Sequence, residues 1–296
     1  MISEKKQYMK NLILTLLISC TFSLYVVAQK TKNVQYLAEY TFNVKPGTKK
    51  INMSCLIPQH IDNIQHVDTL IYNIPPNRVY KQNGDRMVEF VIDSIEGNFV
   101  LEIYANLKVI SNDSSNKKPQ AISKNQSVYL VAEKYLESDQ DAIIQQAALL
   151  KKNSELKTVQ SIYNFVRKSL KYSGYNPKDV GALQALEAGH GDCTEFADLF
   201  VALCRASDIP AKVIEGYMIG YNVAMSKHNW AEVYIPELGW RVVDPTSTSF
   251  NRLENAYVKL TSNRTNPAIQ NFHYYAYKYW GDPIEVLESI KTKVVD

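Results

Sequence analysis

The apolar residues of this chain change period once, near residue 120, and that change constrains the fold more than any other feature. Before it, residues 33 to 110 fall into short runs rich in Val, Ile, Tyr and Phe: VQYLAEYTFNV, KINMSCLI, DTLIYNI, RMVEFVI and NFVLEIYANLKVI. Turn formers part them, at Pro46-Gly47, Pro75-Pro76-Asn77, Asn83-Gly84-Asp85 and Glu96-Gly97. β-Branched and aromatic residues suit a half-buried pleated surface, and Gly, Pro and Asn supply the backbone angles of tight turns, so a small antiparallel sandwich is expected. The stretch SNDSSNKKPQ, residues 111 to 120, has no apolar residue and reads as a linker or exposed loop. After it, Leu156, Val159, Ile162, Tyr163, Val166 and Leu170 share one face of a helix. The expected class is therefore α+β, with a β-rich domain and linker over 29–120 and a second domain over 121–296.

The first 28 residues are expected to be a signal peptide. Lys5, Lys6 and Lys10 precede the apolar run ILTLLISCTFSLYVV, and Val26-Val27-Ala28 before Gln29 has the small-residue pattern that a signal peptidase cuts. Leu17-Ile18-Ser19-Cys20 offers a competing reading as a lipobox, but the apolar run continues past Cys20, where a lipoprotein usually turns polar. The run is also short for a retained membrane anchor. Export to the periplasm or beyond is expected, with membrane attachment only if Cys20 is lipidated. The whole chain carries 33 Lys plus Arg against 30 Asp plus Glu, and loss of the basic leader brings the two within one charge. That balance gives no general pull on nucleic acid, so none is expected as a partner.

Cleavage after Ala28 leaves Cys55, Cys193 and Cys204, an odd number, so at least one thiol is unpaired within the chain. Gly189-His190-Gly191-Asp192-Cys193-Thr194-Glu195 runs into Phe196, Leu199, Phe200 and Leu203, an amphipathic helix with a glycine-rich entry. Asp192 and Glu195 have the form of a capping box, which puts Cys193 at the first helical position. The helix dipole and unpaired N–H groups there favour a thiolate, the attacking form, and the same N–H groups are candidates to hold an oxyanion. Cys204 lies eleven residues along the same helix, about 16 Å away, beyond disulfide reach of Cys193. Cys204 and Cys55 both read as core residues. Among bases, His228 opens one expected strand and Asp244 closes the next, while His190 is a competing base beside the thiol. No CxxC pair, HExxH, P-loop or GxGxxG occurs in the sequence, and the site lacks the three or four ligands zinc takes; no cofactor and no catalytic metal is expected.

The combination GDCTEFADLFVALCRASDIPAKVIEGYMIG, then HNWAEVYIPELGWRVVDPT, resembles the transglutaminase-like superfamily, whose core is papain-like. The likeness covers roughly residues 125 to 250. Asp208 stands where that family usually has Gly, and Lys212 where it has Arg. The resemblance implies Cys193 as nucleophile, His228 as its imidazolium or general base, and Asp244 as the residue that orients the imidazole. It implies acyl transfer on a glutamine carboxamide or peptide carbonyl through a thioester, in a protein or peptide substrate, and an enzyme closer to a protease or amidase than to a cross-linker. Tyr172 is the oxyanion candidate by position, with His190 and Trp230 as further candidates for substrate contact. The alternative is a catalytically silent member of the fold that binds or builds the envelope. The aromatic tail, Phe272 to Trp280, is expected to be a strand or helix packed on the core.

A triad needs His228 and Asp244 on one face of the sheet. An even hairpin loop, with Ile235 opposite Trp240, would point Asp244 away; an odd loop or a bulge at Gly239 would put Asp244 opposite Trp230 and diagonal to His228. The odd register is expected.

Overall fold

The computed structural model describes residues 31–110 except 63 and 94, 124–248 except 177 and 221–226, then 250, 257–262 and 274–295. The leader, Cys20, the cut after Ala28, the 111–120 stretch and Phe272-His273 lie outside the described residues.

Six N-terminal strands form, five of them at the runs expected from the sequence and a sixth, β4, where none was expected: β1 (Thr31–Asn43), β2 (Lys50–Leu56), β3 (Gln65–Tyr72), β4 (Arg78–Gln82), β5 (Asp85–Asp93) and β6 (Phe99–Ile110). Their side chains alternate. On β1, Val34, Tyr36, Ala38, Tyr40 and Phe42 are buried, and on β6 the same holds for Leu101, Ile103, Ala105, Leu107 and Val109. The sandwich is completed from the other end of the chain. β13 (Tyr275–Trp280) pairs with β2, and β14 (Glu285–Val295) pairs along β1, which gives two antiparallel sheets in the orders β14-β1-β6-β3 and β13-β2-β5-β4. The sheets meet through rings, Tyr40 against Tyr275 at 5.0 Å and Tyr72 against Phe90 at 5.7 Å between centroids. Reading the chain as two successive pieces misses this return, because strand pairing carries no mark of sequence distance. The described part of the aromatic tail is a strand from Tyr275, with Tyr274 and Tyr275 buried and Tyr277, Tyr279 and Trp280 exposed.

Between these ends lie a 3-10 helix (Lys124–Leu130), α1 (Asp141–Leu150), α2 (Glu155–Ser169), α3 (Ala182–Ala188), α4 (Cys193–Ala206), and a sheet of β9 (Ala211–Met218), β10 (Lys227–Ile235), β11 (Gly239–Val243) and β12 (Tyr257–Thr261) in the order β11-β10-β9-β12. A two-residue parallel pair, β7 (Lys171–Tyr172) with β8 (His190–Gly191), sits beside the start of α4. Ser154 caps α2, and Val159, Ile162, Tyr163 and Val166 are buried as their spacing predicts; Leu156, in the first turn, stays exposed. One face of the β9–β12 sheet, through Ala211, Val213, Ala231, Val233 and Ile235, packs on the helices. Tyr217, Val258 and Leu260 join the core of the sandwich instead. β10 is buried along almost its whole length because it is covered on both faces.

Polar contacts fix β12 to the sandwich. Gln65 accepts from Lys259 N at 3.1 Å and donates to Lys259 O at 3.2 Å, and Thr261 donates to Asp85 at 2.8 Å. The β10–β11 hairpin has the odd register: Ile235 pairs with Gly239, Tyr234 with Trp240 and Ala231 with Val243. Three residues make the turn, Leu238 N donates to Ile235 O at 2.9 Å, and Gly239 takes φ 73°, a left-handed angle that glycine adopts without strain. After α4, Asp208 also has φ 65°, which gives a physical reason for the glycine usual at that place.

Candidate active site

The start of α4 is built around its cap. Asp192 accepts from Thr194 N at 2.7 Å, Glu195 accepts from Asp192 N at 2.9 Å, and the reciprocal bonds of a capping box are complete. Such a cap contributes about 1 kcal/mol and leaves little freedom in the helix entry. Gly191 is required here, since a Cβ on it would lie 2.4 Å from Cβ of Glu195. The other Asp192 oxygen accepts from Asn176 N at 2.9 Å, which ties the 173–176 loop to the cap. Cys193 follows at the first helical position, partly exposed, whereas Cys55 and Cys204 are fully buried and burial pushes both of those thiols up. The three described cysteines form no disulfide.

Thr194 and Glu195 N–H groups are already donated to Asp192, so they do not serve an oxyanion. The Cys193 N–H and the Tyr172 hydroxyl are the donor candidates that remain. Burial, then the charges of Cys193 and Asp192, raise the Tyr172 hydroxyl, so it keeps its proton and can donate.

His228 stands at the mouth of β10 opposite Gly216 of β9, and Asp244 follows the end of β11. The His228 Nε2 and Asp244 Oδ2 lie 2.8 Å apart. The Cys193 thiol lies close enough to act on the imidazole, and with Nε2 on Asp244 the ring nitrogen left to face the sulfur is Nδ1. Burial by itself pushes His228 down, but the hydrogen bonds and charges of Asp244 and Cys193 outweigh it and raise the imidazole to about 9. Burial likewise would raise Asp244; the bonds and charge of His228 and the hydroxyls of Thr246 and Tyr257 hold it below its ordinary value.

Asp244 is held at both oxygens. Oδ2 accepts from His228 and from Tyr257 OH at 2.7 Å, while Oδ1 accepts from Thr246 N at 2.8 Å and Thr246 Oγ1 at 2.6 Å. The imidazole lies nearly parallel to Tyr257, 5.5 Å between centroids, and Tyr257 stacks on Trp230 at 4.4 Å. Gly216 makes room for this stack, because a Cβ there would lie 2.1 Å from Val258 O and 3.0 Å from Trp230 Cη2. Asn229 Nδ2 donates to Thr194 Oγ1 at 3.0 Å, which fastens β10 to the first turn of α4 beside the thiol.

Cys193 and His228 open on a cavity of about 560 Å³, whose walls include Tyr172, Tyr175, Glu215 and Met218. Of the sequence candidates, Cys193, His228, Asp244 and Tyr172 come together here. Trp230 and His190 do not line the cavity. Trp230 is 2% exposed and stacks beside the imidazole; His190 is exposed on β8 and is not part of the cavity wall. Sequence reasoning missed Thr246 and Tyr257. Asp-Pro-Thr is itself a turn signal in which a Thr two residues on can reach the carboxylate, so Thr246 was within reach of local argument. Tyr257, thirteen residues on and on another strand, had no local mark.

A model of the transglutaminase-like superfamily core matches residues 144–245. The chain is 37% identical to the uncharacterised protein YebA of Bacillus subtilis, over 24% of this chain and 11% of that one. It is 38% identical to a protein-glutamine gamma-glutamyltransferase of Pseudomonas aeruginosa, over 19% of this chain and 10% of that one. The chain thus spans about a tenth of the length of these curated relatives. In fold it is similar to the crystal structure of a candidate cysteine protease from Cytophaga hutchinsonii, with TM-score 0.64 and 20% identity, over 90% of this chain and 92% of that one.

Proposed function

Since residues 144–245 belong to the transglutaminase-like superfamily, whose members include cysteine enzymes, we propose that this chain is a thiol-dependent hydrolase or acyltransferase with Cys193, His228 and Asp244 as its triad. One observation carries the reading: His228 is held by Asp244 at one ring nitrogen and shares with the Cys193 thiol the edge of an open cavity, close enough for the thiol to act on the imidazole. The carbonyl of a glutamine side chain or a peptide enters beside Tyr172. Cys193 Sγ attacks it, an S–C bond forms, and the oxyanion is met by the Cys193 N–H and the Tyr172 hydroxyl. His228 gives its Nδ1 proton to the leaving amine as the C–N bond breaks, and Asp244 holds the imidazole in place. Water, losing a proton to His228, then cleaves the thioester and restores the thiol. Water is the acceptor we favour, which makes the enzyme protease- or amidase-like; an amine in its place would give a cross-link.

Export of the mature chain, from the leader pattern, belongs to the same proposal. The test is a pair of assays on the purified mature protein, one with glutamine-bearing casein and a labelled amine, the other a peptide-hydrolysis screen. Cleavage that vanishes in Cys193→Ala supports the proposal, incorporation of amine moves it to cross-linking, and silence in both favours a binding or envelope role.

A further inference from the structure

Away from the cavity, the turn between β2 and β3 brings two histidines together. Ile61 and Gln65 exchange backbone hydrogen bonds, Ile61 N to Gln65 O at 2.8 Å and Gln65 N to Ile61 O at 2.9 Å, so His60 and His66 emerge side by side from the next positions. Gln65 is buried and anchored to Gln59 O at 3.0 Å as well as to Lys259, so the base of the turn is fixed. The two imidazoles cross at 89° with their Nδ1 atoms 2.8 Å apart. Their far nitrogens are both engaged: His60 Nε2 lies 3.1 Å from Asp62, and His66 Nε2 lies 3.3 Å from Asp68. Lys108, opposite His66 on β6, completes the charged surroundings through Asp68 at 3.2 Å.

A carboxylate accepts from an N–H at Nε2, and the tautomer that gives it one leaves Nδ1 with its lone pair. Two such lone pairs converge on one point. At 2.8 Å the two nitrogens are close enough to share one acceptor of electron pairs, and a metal ion is one such group. Carboxylate–histidine pairs of this kind are the usual outer support of metal-ligating imidazoles.

We propose that His60 and His66 form a surface site for a late first-row divalent ion, Cu²⁺ most tightly, bound through both Nδ1 atoms. Imidazole suits these ions, whereas Mg²⁺ and Ca²⁺ take oxygen ligands. At metal–nitrogen distances of about 2.0 Å, two tetrahedral ligands stand about 3.3 Å apart, so the rings must part slightly. Both side chains are about half exposed and free to do so. Among the described residues no third His, Cys, Asp or Glu is placed to join the two nitrogens on a metal ion, so the remaining positions fall to water.

The test uses the purified protein with its thiols alkylated by iodoacetamide, titrated with Cu²⁺ by calorimetry and examined by electron paramagnetic resonance. One equivalent is expected, with hyperfine structure from two nitrogens. His60→Ala and His66→Ala should each weaken it by a factor of ten or more, and Asp62→Asn or Asp68→Asn by about tenfold, while His228→Ala leaves it unchanged. Binding that survives in His60→Ala and His66→Ala, a spectrum without two nitrogens, or no binding in the parent protein would overturn the proposal.

Discussion

Replacing Asp244 by Asn tests what holds His228. The carboxylate accepts four hydrogen bonds, two at each oxygen. An amide offers one oxygen and one NH₂, so whichever way it turns, an N–H faces either His228 Nε2 or the backbone N–H of Thr246. Leaving one buried donor unmet costs about 1–3 kcal/mol. The charge is lost as well. His228 is raised from 6.5 to about 9, and that interval corresponds to about 3 kcal/mol of preference for the imidazolium in the folded protein. Burial opposes the rise, and the Asp244 bond leads the contributions that cause it, so at least half, about 1–2 units, should disappear. Because the folded value is raised, this stabilisation is complete below pH 6.5 and is lost as pH climbs through about 9. NMR titration of the His228 ring should therefore show a lower midpoint in Asp244→Asn, and the gap in Tm between parent and variant should narrow between pH 6.5 and pH 10. A His228 midpoint within about half a unit of the parent, with a Tm gap constant across that window, would refute the assignment of the shift to Asp244.

Iodoacetamide with mass-spectrometric readout should modify Cys193 well before Cys55 or Cys204, which are buried, and His228→Ala should slow that labelling near neutral pH; faster labelling of Cys204 would sink the nucleophile assignment. Glu232→Gln should destabilise by about 3–5 kcal/mol in chemical denaturation, because Glu232 is buried between Lys259 at 2.8 Å and Lys212 at 3.0 Å and its loss strands both cations. Burial resists the charge on Glu232, yet the two lysines hold it down at about 2, so its contribution is present above the ordinary carboxylate range and fades only as pH falls toward 2. Asp208→Gly should raise stability by about 0.5–1 kcal/mol, since it removes a side chain from a left-handed residue whose contact with Lys151 is exposed; a lower Tm would contradict this.

Local order was legible in the sequence because its causes are local. The capping box at Asp192 and Glu195 and the helical face behind it place Cys193 at a helix start, and both depend on residues within a few positions of one another. The odd hairpin register followed from strand parity together with a glycine where a left-handed angle is needed, so the meeting of His228 and Asp244 was a matter of counting. Tertiary structure alone decided the rest. The return of β13 and β14 to the sandwich pairs residues more than 200 positions apart, and backbone hydrogen bonds between strands depend on no side-chain code that marks the partner. Tyr257 reaches Asp244 only because β12 lies beside β9. The same packing buries Trp230 beside the imidazole, while His190 stays exposed on β8 despite its place three residues from the thiol. The candidate residue types and their spacing were written in the chain; which neighbours hold them, and which look-alikes face away, was settled by how the sheets stack.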